Sequence, residues 1–400
     1  MLSFGKRRLI LIKETFGSIP LISLSENNNP IIDILSQLIS FDTTTSNDTL
    51  EAVFWVKRYL KNYGLNVRLI YNPSKTRASL VASFIRNTTD KSIIFCGHLD
   101  VVPVNQKNWQ TNPFALTKKQ DKLFGRGTSD MKGGIAVILS LVPTLIQQQK
   151  NFIIILTHNE ETTGTGIQEV LNDSYVHSFL HNVAGCIVAE PTNSCLVLGH
   201  KTATMGTITL TGKPAHSSNP DLAVNALFHA VEIYKNFYFL ASRLSQQTDN
   251  DFEIPHSVAD ILIFNAGTAV NVIPAEASLT YSCRFISEQA EQTFLAELEK
   301  DIYTYANQIK GLSVHFDNHL HIPALETTQN NLFVQKLLSV FAFGPYKKVS
   351  FATEAGYFSL LGIPTVVCGP GNIEQAHQDN EFITEEQLYY YYNQLKQLFL

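Results

Sequence analysis

Ser92-Ile93-Ile94-Phe95-Cys96-Gly97, closed by His98-Leu99-Asp100, is the stretch whose reading decides the fold. A short, unbroken apolar run that ends in polar residues predicts a strand buried on both faces, as in a parallel sheet. Two runs downstream repeat the pattern. Phe152-Ile153-Ile154-Ile155-Leu156-Thr157 ends in His158-Asn159-Glu160-Glu161, and Gly185-Cys186-Ile187-Val188-Ala189 ends in Glu190-Pro191-Thr192. A further run, Ile363-Pro364-Thr365-Val366-Val367-Cys368, leads through a glycine-rich turn to His377, and Asp130 opens a helix-like segment after Gly125-Arg126-Gly127. In open α/β sheets the carboxyl ends of the strands form the ligand crevice. Carboxylates and imidazoles gathered there, with almost no thiolate among them, form a set fit for two zinc ions and for hydrolysis.

Around these runs, strands and helices alternate up to about residue 198, which predicts a mostly parallel α/β sheet with flanking helices. Helical spacing of apolar residues marks Ile31 to Ile39 and Leu50 to Tyr63. The middle of the chain reads differently. Strand patterns at Thr204–Thr211, Ala259–Phe264, Ala277–Phe285 and Leu312–Phe316 interleave with helical patterns at Ala223–Leu244 and Glu288–Gln308. That order, βαββαβ, is the ferredoxin-like one. The expected organisation is a discontinuous catalytic domain, residues 1–199 and 319–400, interrupted by an inserted α+β lid and dimerisation domain over 200–318.

Composition narrows the function. At 400 residues the chain is long enough for two domains, and 44% hydrophobic with 16% charged residues describes a folded globular protein. A formal charge of −5 argues against non-specific nucleic-acid binding. Five widely spaced cysteines without a CxxC read as buried thiols of a reducing compartment. Lys6-Arg7-Arg8 and the apolar residues 9–12 imitate a signal peptide, but Lys13 and Glu14 cut the run short. The chain is therefore expected in the cytoplasm, without a membrane partner, and residues 1–30 as a loop or arm.

Each candidate residue has a plain alternative role. His98 and Asp100, two apart on an extended chain, face the same way, which suits a ligating imidazole oriented by a carboxylate; a surface pair after a strand has the same spacing. Asp130 stands where an N-cap belongs, or where a carboxylate bridges two metals with both oxygens. Glu160 and Glu161 point in opposite directions if extended, so one can hold a metal while the other accepts a proton. His377 by itself reads equally as a loop histidine. His315, His319 and His321 imitate ligand spacing but lie on a polar strand end away from the other turns, and the non-ligand reading is the better one.

Taken jointly, these segments resemble the aminoacylase/carboxypeptidase family of di-zinc amide hydrolases. The resemblance rests on Gly97-His98-Leu99-Asp100-Val101-Val102-Pro103, Gly125 to Gly133, Glu160-Glu161, Glu190-Pro191-Thr192, Lys213 to Ser218, and Asn271-Val272-Ile273-Pro274-Ala275-Glu276. It implies that His98, Asp130 and Glu190 hold one zinc, and that Asp130, Glu161 and His377 hold the other, with cobalt able to substitute. It further implies that Asp100 orients His98, that Glu160 is the general base, and that the Asp130-Met131 peptide is cis. His216 would reach the oxyanion in a neighbouring subunit of a homodimer, and Asn271 and Arg284 would bind the substrate carboxylate. Thr353-Glu354-Ala355-Gly356 and the segment Gly362 to His377 are most similar to the family's acetylornithine-deacetylase branch, which implies an N-acyl amino acid substrate, N-acetyl-L-ornithine first and succinylated amides or dipeptides second. Asn159 departs from the Asp usual in that branch. A metal-containing binding protein without turnover has no use for Glu160, and a structural zinc site is usually richer in thiolate.

Overall fold

The computed structural model describes residues 29–341 and 346–399; the expected N-terminal arm lies almost wholly outside them. The apolar runs form neighbouring strands of a nine-stranded sheet. In space its order is Asn66–Tyr71, Ala78–Phe84, Phe152–Thr157, Ser92–His98, Val183–Val188, Thr365–Val367, Val197–His200 and Leu325–Glu326, with Lys347–Val349 also on Val197–His200. The four strands at the centre, from Phe152–Thr157 to Thr365–Val367, are mutually parallel. Towards both edges the pairing becomes antiparallel, except that Lys347–Val349 runs parallel to Val197–His200. Every residue of Ser92–His98 and of Phe152–Thr157 is buried, as their unbroken apolar runs require.

Helix Lys132–Gln147 packs on strand Ser92–His98 and against helices Pro30–Ser40 and Glu385–Gln397. It is buried on almost every side, and fully burying each Ile or Leu stabilises the fold by roughly 1.5–3 kcal/mol. Its start lies close against the sheet at Gly134, where a Cβ would come within 2.6 Å of the Ala189 carbonyl oxygen. Only glycine permits that approach, and it brings the Asp130 turn to the end of the strand that precedes Glu190. Met131, not Asp130, occupies the N-cap position, so the Asp130 carboxylate is free of the capping role.

Strands Ala203–Thr211, Val258–Ala266, Glu276–Arg284 and Ser313–Ile322 form a second, wholly antiparallel sheet. With helices Ala226–Ser242 and Glu288–Ala306 their order is βαββαβ, and in space the fourth strand lies beside the first, then the third and the second. That is the ferredoxin-like pattern. Its apolar side is separate from the large core and includes Ile208, Leu210, Phe237, Leu279, Phe294 and Leu298. Strand Ser313–Ile322 continues past the expected boundary at residue 318, because its last residues still pair with Ala203 to Met205. No helix among the described residues is long and apolar enough to cross a membrane.

Candidate active site

Three parallel neighbours deliver their following residues to one edge of the sheet. His98 ends Ser92–His98, Glu160 and Glu161 follow Phe152–Thr157, and Glu190 follows Val183–Val188. Asp130 enters from the turn before helix Lys132–Gln147, across a cis Asp130-Met131 peptide. His377 enters from the turn after Ile373–Gln375, with a positive φ of 62°. His98 Nε2 lies 3.1 Å from Asp130 Oδ1, 3.7 Å from Glu190 Oε1 and 3.9 Å from Glu160 Oε2. His377 Nε2 lies 3.3 Å from Asp130 Oδ2 and 2.9 Å from Glu161 Oε2. The two oxygens of Asp130 thus face two different imidazoles.

This donor set matches divalent cations in number and chemistry. Two ligand groupings close enough to share an ion are His98, Asp130 and Glu161, and His98, Glu160 and Glu190. His98 Nδ1 donates to the Asp100 carbonyl at 2.9 Å, which leaves Nε2 as the atom that could ligate a cation. Four carboxylates share the site, and among the described residues no lysine or arginine side chain is bonded to them. The crowding makes several of these groups hold protons more tightly than usual. Burial, then the neighbouring charges of Glu161 and Glu354, pushes Glu160 well above the usual carboxylate range despite His98. Burial, then Asp130, does the same to Glu190. Burial opposes charge on His98, but its bond to Asp130 and the charges of Glu160 and Glu190 outweigh it and raise the imidazole. The bonds to Asp130 and Glu161 raise His377 to about 10. A cation entering here would displace those protons.

Asp100 works differently from the expectation. Its carboxylate accepts from Glu160 N at 3.2 Å and Glu161 N at 3.1 Å, while Oδ1 is 3.9 Å from His98 Nδ1. Its backbone carbonyl therefore orients His98, and its side chain holds the Glu160-Glu161 turn. Two further carboxylates were not singled out as site residues. Glu381 accepts four hydrogen bonds from the Arg126–Asp130 turn. Glu354, buried under the same strands, accepts from Cys96 Sγ, and burial pushes it up to about 7. A signal was present for Glu381 in its spacing of four from His377, and for Glu354 in the Thr353-Glu354 motif, but neither assigns a contact.

The other three expected residues stand apart. His216 is exposed on the short strand Ala215–His216, and its Nδ1 accepts from Ser218 N at 3.2 Å. Its ribbon partner is Val272, beside exposed Asn271. Arg284 ends strand Glu276–Arg284 and donates to the Cys283 carbonyl at 3.1 Å. Among the described residues no hydrogen bond or ion pair joins these three to the carboxylate cluster. His321 pairs with Glu288 and Glu291 at 3.6 and 3.4 Å, away from that cluster.

A carboxylate and imidazole cluster at the carboxyl edge of this sheet defines the class: a metal-dependent hydrolase acting on amide bonds. Residues 94–400 match the model of peptidase family M20/M25/M40, and the chain belongs to that family. An acetylornithine deacetylase of Aliivibrio salmonicida (strain LFI1238) is 29% identical over 355 residues, which covers 87% of this chain and 90% of that protein. In fold, the chain is similar to a tripeptidase of Staphylococcus aureus (TM-score 0.71, 18% identity, covering 92% of this chain and 97% of the other). It is also similar to a dinuclear metal-binding peptidase of Bacillus subtilis (TM-score 0.64, 18% identity, covering 92% and 96%).

Proposed function

We propose that this protein is a cytoplasmic homodimer that hydrolyses N-acetyl-L-ornithine to L-ornithine and acetate, a step of arginine biosynthesis, with two zinc ions for which cobalt can substitute. The observation that carries the reading is Asp130, whose two oxygens face His98 and His377 at 3.1 and 3.3 Å. His98, Asp130 and Glu190 would hold one ion; Asp130, Glu161 and His377 would hold the other. When bound, such ions supply Lewis acidity toward the acyl carbonyl and lower the pKa of water toward ~7. The substrate assignment draws support from the acetylornithine deacetylase, similar over most of both chains.

In this reaction water oxygen joins the acyl carbon and the C–N bond breaks. Glu160 takes the proton of the attacking water and delivers it to the leaving nitrogen. A carboxylate suits both halves, taking the proton as a base and then giving it to the amine as an acid. Asp100 holds the base in place through Glu160 N. His216 would donate to the oxyanion from the neighbouring subunit, and Arg284, with Asn271, would fork onto the free α-carboxylate.

The dimer draws support from the second sheet. Strand Val258–Ala266 is an edge strand and exposes Leu262 and Ile263, while Phe228 and Phe239 are exposed on helix Ala226–Ser242. Exposed apolar faces with an open strand edge suit association with a second copy. The test is release of free amine from a panel of N-acyl amino acids with zinc or cobalt added. N-acetylornithine should lead by kcat/KM, and amidation of its carboxylate should abolish the preference. A lead for N-succinyl-diaminopimelate or a dipeptide would assign the protein to a neighbouring activity, and no turnover of any amide would leave a binding protein.

A further inference from the structure

Glu381 is fully buried, yet it lies in a polar turn, Gln378-Asp379-Asn380-Glu381, where a carboxylate would ordinarily face water. It accepts from Arg126 Nη1 and Gly127 N, both at 2.8 Å, through Oε2, and from Ser129 N at 2.7 Å and Asp130 N at 3.0 Å through Oε1. Gly125 N also donates to its carbonyl, at 3.1 Å. One residue thus holds the whole turn that ends in Asp130. The same short segment carries His377, four positions earlier, whose Nε2 meets Asp130 Oδ2.

We propose that Glu381 is the positioning residue of the metal centre, tying the Asp130 turn to the His377 turn so that both approach the cations as one preset unit. The inference rests on the metal reading above. Without the clamp, each turn would have to be ordered at the expense of binding energy, since neither belongs to a strand or to the body of a helix. The carboxylate is specifically required. All four partners are donors, two on each oxygen, so an amide at this position must set an N–H against N–H groups whichever way it is turned. Loss of such a supporting bond typically lowers metal affinity by ~10–100-fold.

The experiment titrates metal-free wild type, Glu381→Gln and Leu298→Ala with zinc by calorimetry and records the absorption spectrum of the cobalt-loaded forms. Leu298 is buried in the core of the second sheet, and its truncation destabilises the protein without touching the turns. Wild type should bind two equivalents. Glu381→Gln should bind ~10–100-fold more weakly, with an altered cobalt spectrum, while Leu298→Ala should lose thermal stability and bind as wild type does. Wild-type affinity and spectrum in Glu381→Gln would overturn the inference, as would an equal loss in Leu298→Ala. Should Glu381→Gln fail to fold, Arg126→Gln removes one donor and leaves the three backbone bonds. A smaller loss of affinity with the same spectral change supports the clamp, and no change in either overturns it. Absence of zinc binding by wild type would instead remove the metal reading itself.

Discussion

At the edge of the large sheet, His98, Asp130, Glu160, Glu161, Glu190 and His377 are linked by distances of 2.9 to 3.9 Å. On the second sheet, His216 and Asn271 are exposed, and among the described residues no hydrogen bond or ion pair joins them or Arg284 to that cluster. The difference is one of construction. The first group sits at the ends of neighbouring strands and in turns clamped by buried hydrogen bonds, so one chain alone assembles it. The second group sits on a sheet with its own core, so the folding of the large sheet does not by itself bring it to the cluster.

Removing metal would break the comparison most severely. Chelation should abolish hydrolysis, and zinc or cobalt should restore it. The check is elemental analysis beside the rate, and full activity in metal-free protein would refute the assigned role of the cluster. Next in size comes the split between adjacent glutamates. Glu160→Gln should keep both metals while turnover falls ~10²–10⁴-fold, the worth of a general base. Glu161→Gln should instead weaken one metal. Metal loss confined to Glu160→Gln would reverse the two roles.

The exposed group is tested more gently. His216→Ala should lower kcat by ~10²–10³-fold with a smaller change in KM, as expected for a donor used in the transition state. Mixing that chain with Glu160→Gln at equal amounts should regenerate activity if His216 acts across subunits, because half of randomly formed dimers then hold one working site. Recovery toward about a quarter of wild type is the expected reading under random pairing. No recovery despite subunit exchange would confine His216 to its own chain or remove it from catalysis.

The smallest effect lies within the second region, where strand Ser313–Ile322 meets helix Glu288–Ala306. The bonds to Glu288 and Glu291 raise His321 to about 10 from 6.5. A raised folded value means that the pairing stabilises fully below pH 6.5 and fades as pH rises toward 10. Because the imidazole is nearly half exposed, His321→Gln should cost under ~1 kcal/mol near neutral pH and clearly less near pH 10. Thermal unfolding at both pH values measures it, and an equal cost at both would show that the charge is irrelevant.

Much of the arrangement of the carboxylate and imidazole cluster was legible because a strand announces its own end. His98, Glu160, Glu161 and Glu190 each stand where an apolar run stops, and parallel neighbours place such ends on one edge. The βαββαβ order of the second sheet was readable from local periodicity for the same reason, although its last strand extends to Ile322 because pairing with Ala203 to Met205 outlasts the apolar alternation. Contacts between distant turns were not legible. That Asp100 orients His98 through its carbonyl and holds the Glu160 turn through its carboxylate depends on how two loops pack. That Asp130 leaves the cap to Met131, and that Glu381 grips a turn some 250 residues earlier in the chain, were decided only in three dimensions. Local sequence determines where strands begin and end through burial and backbone preference, whereas a buried carboxylate finds its partners only after the chain has closed around it, when each donor left without one would be penalised.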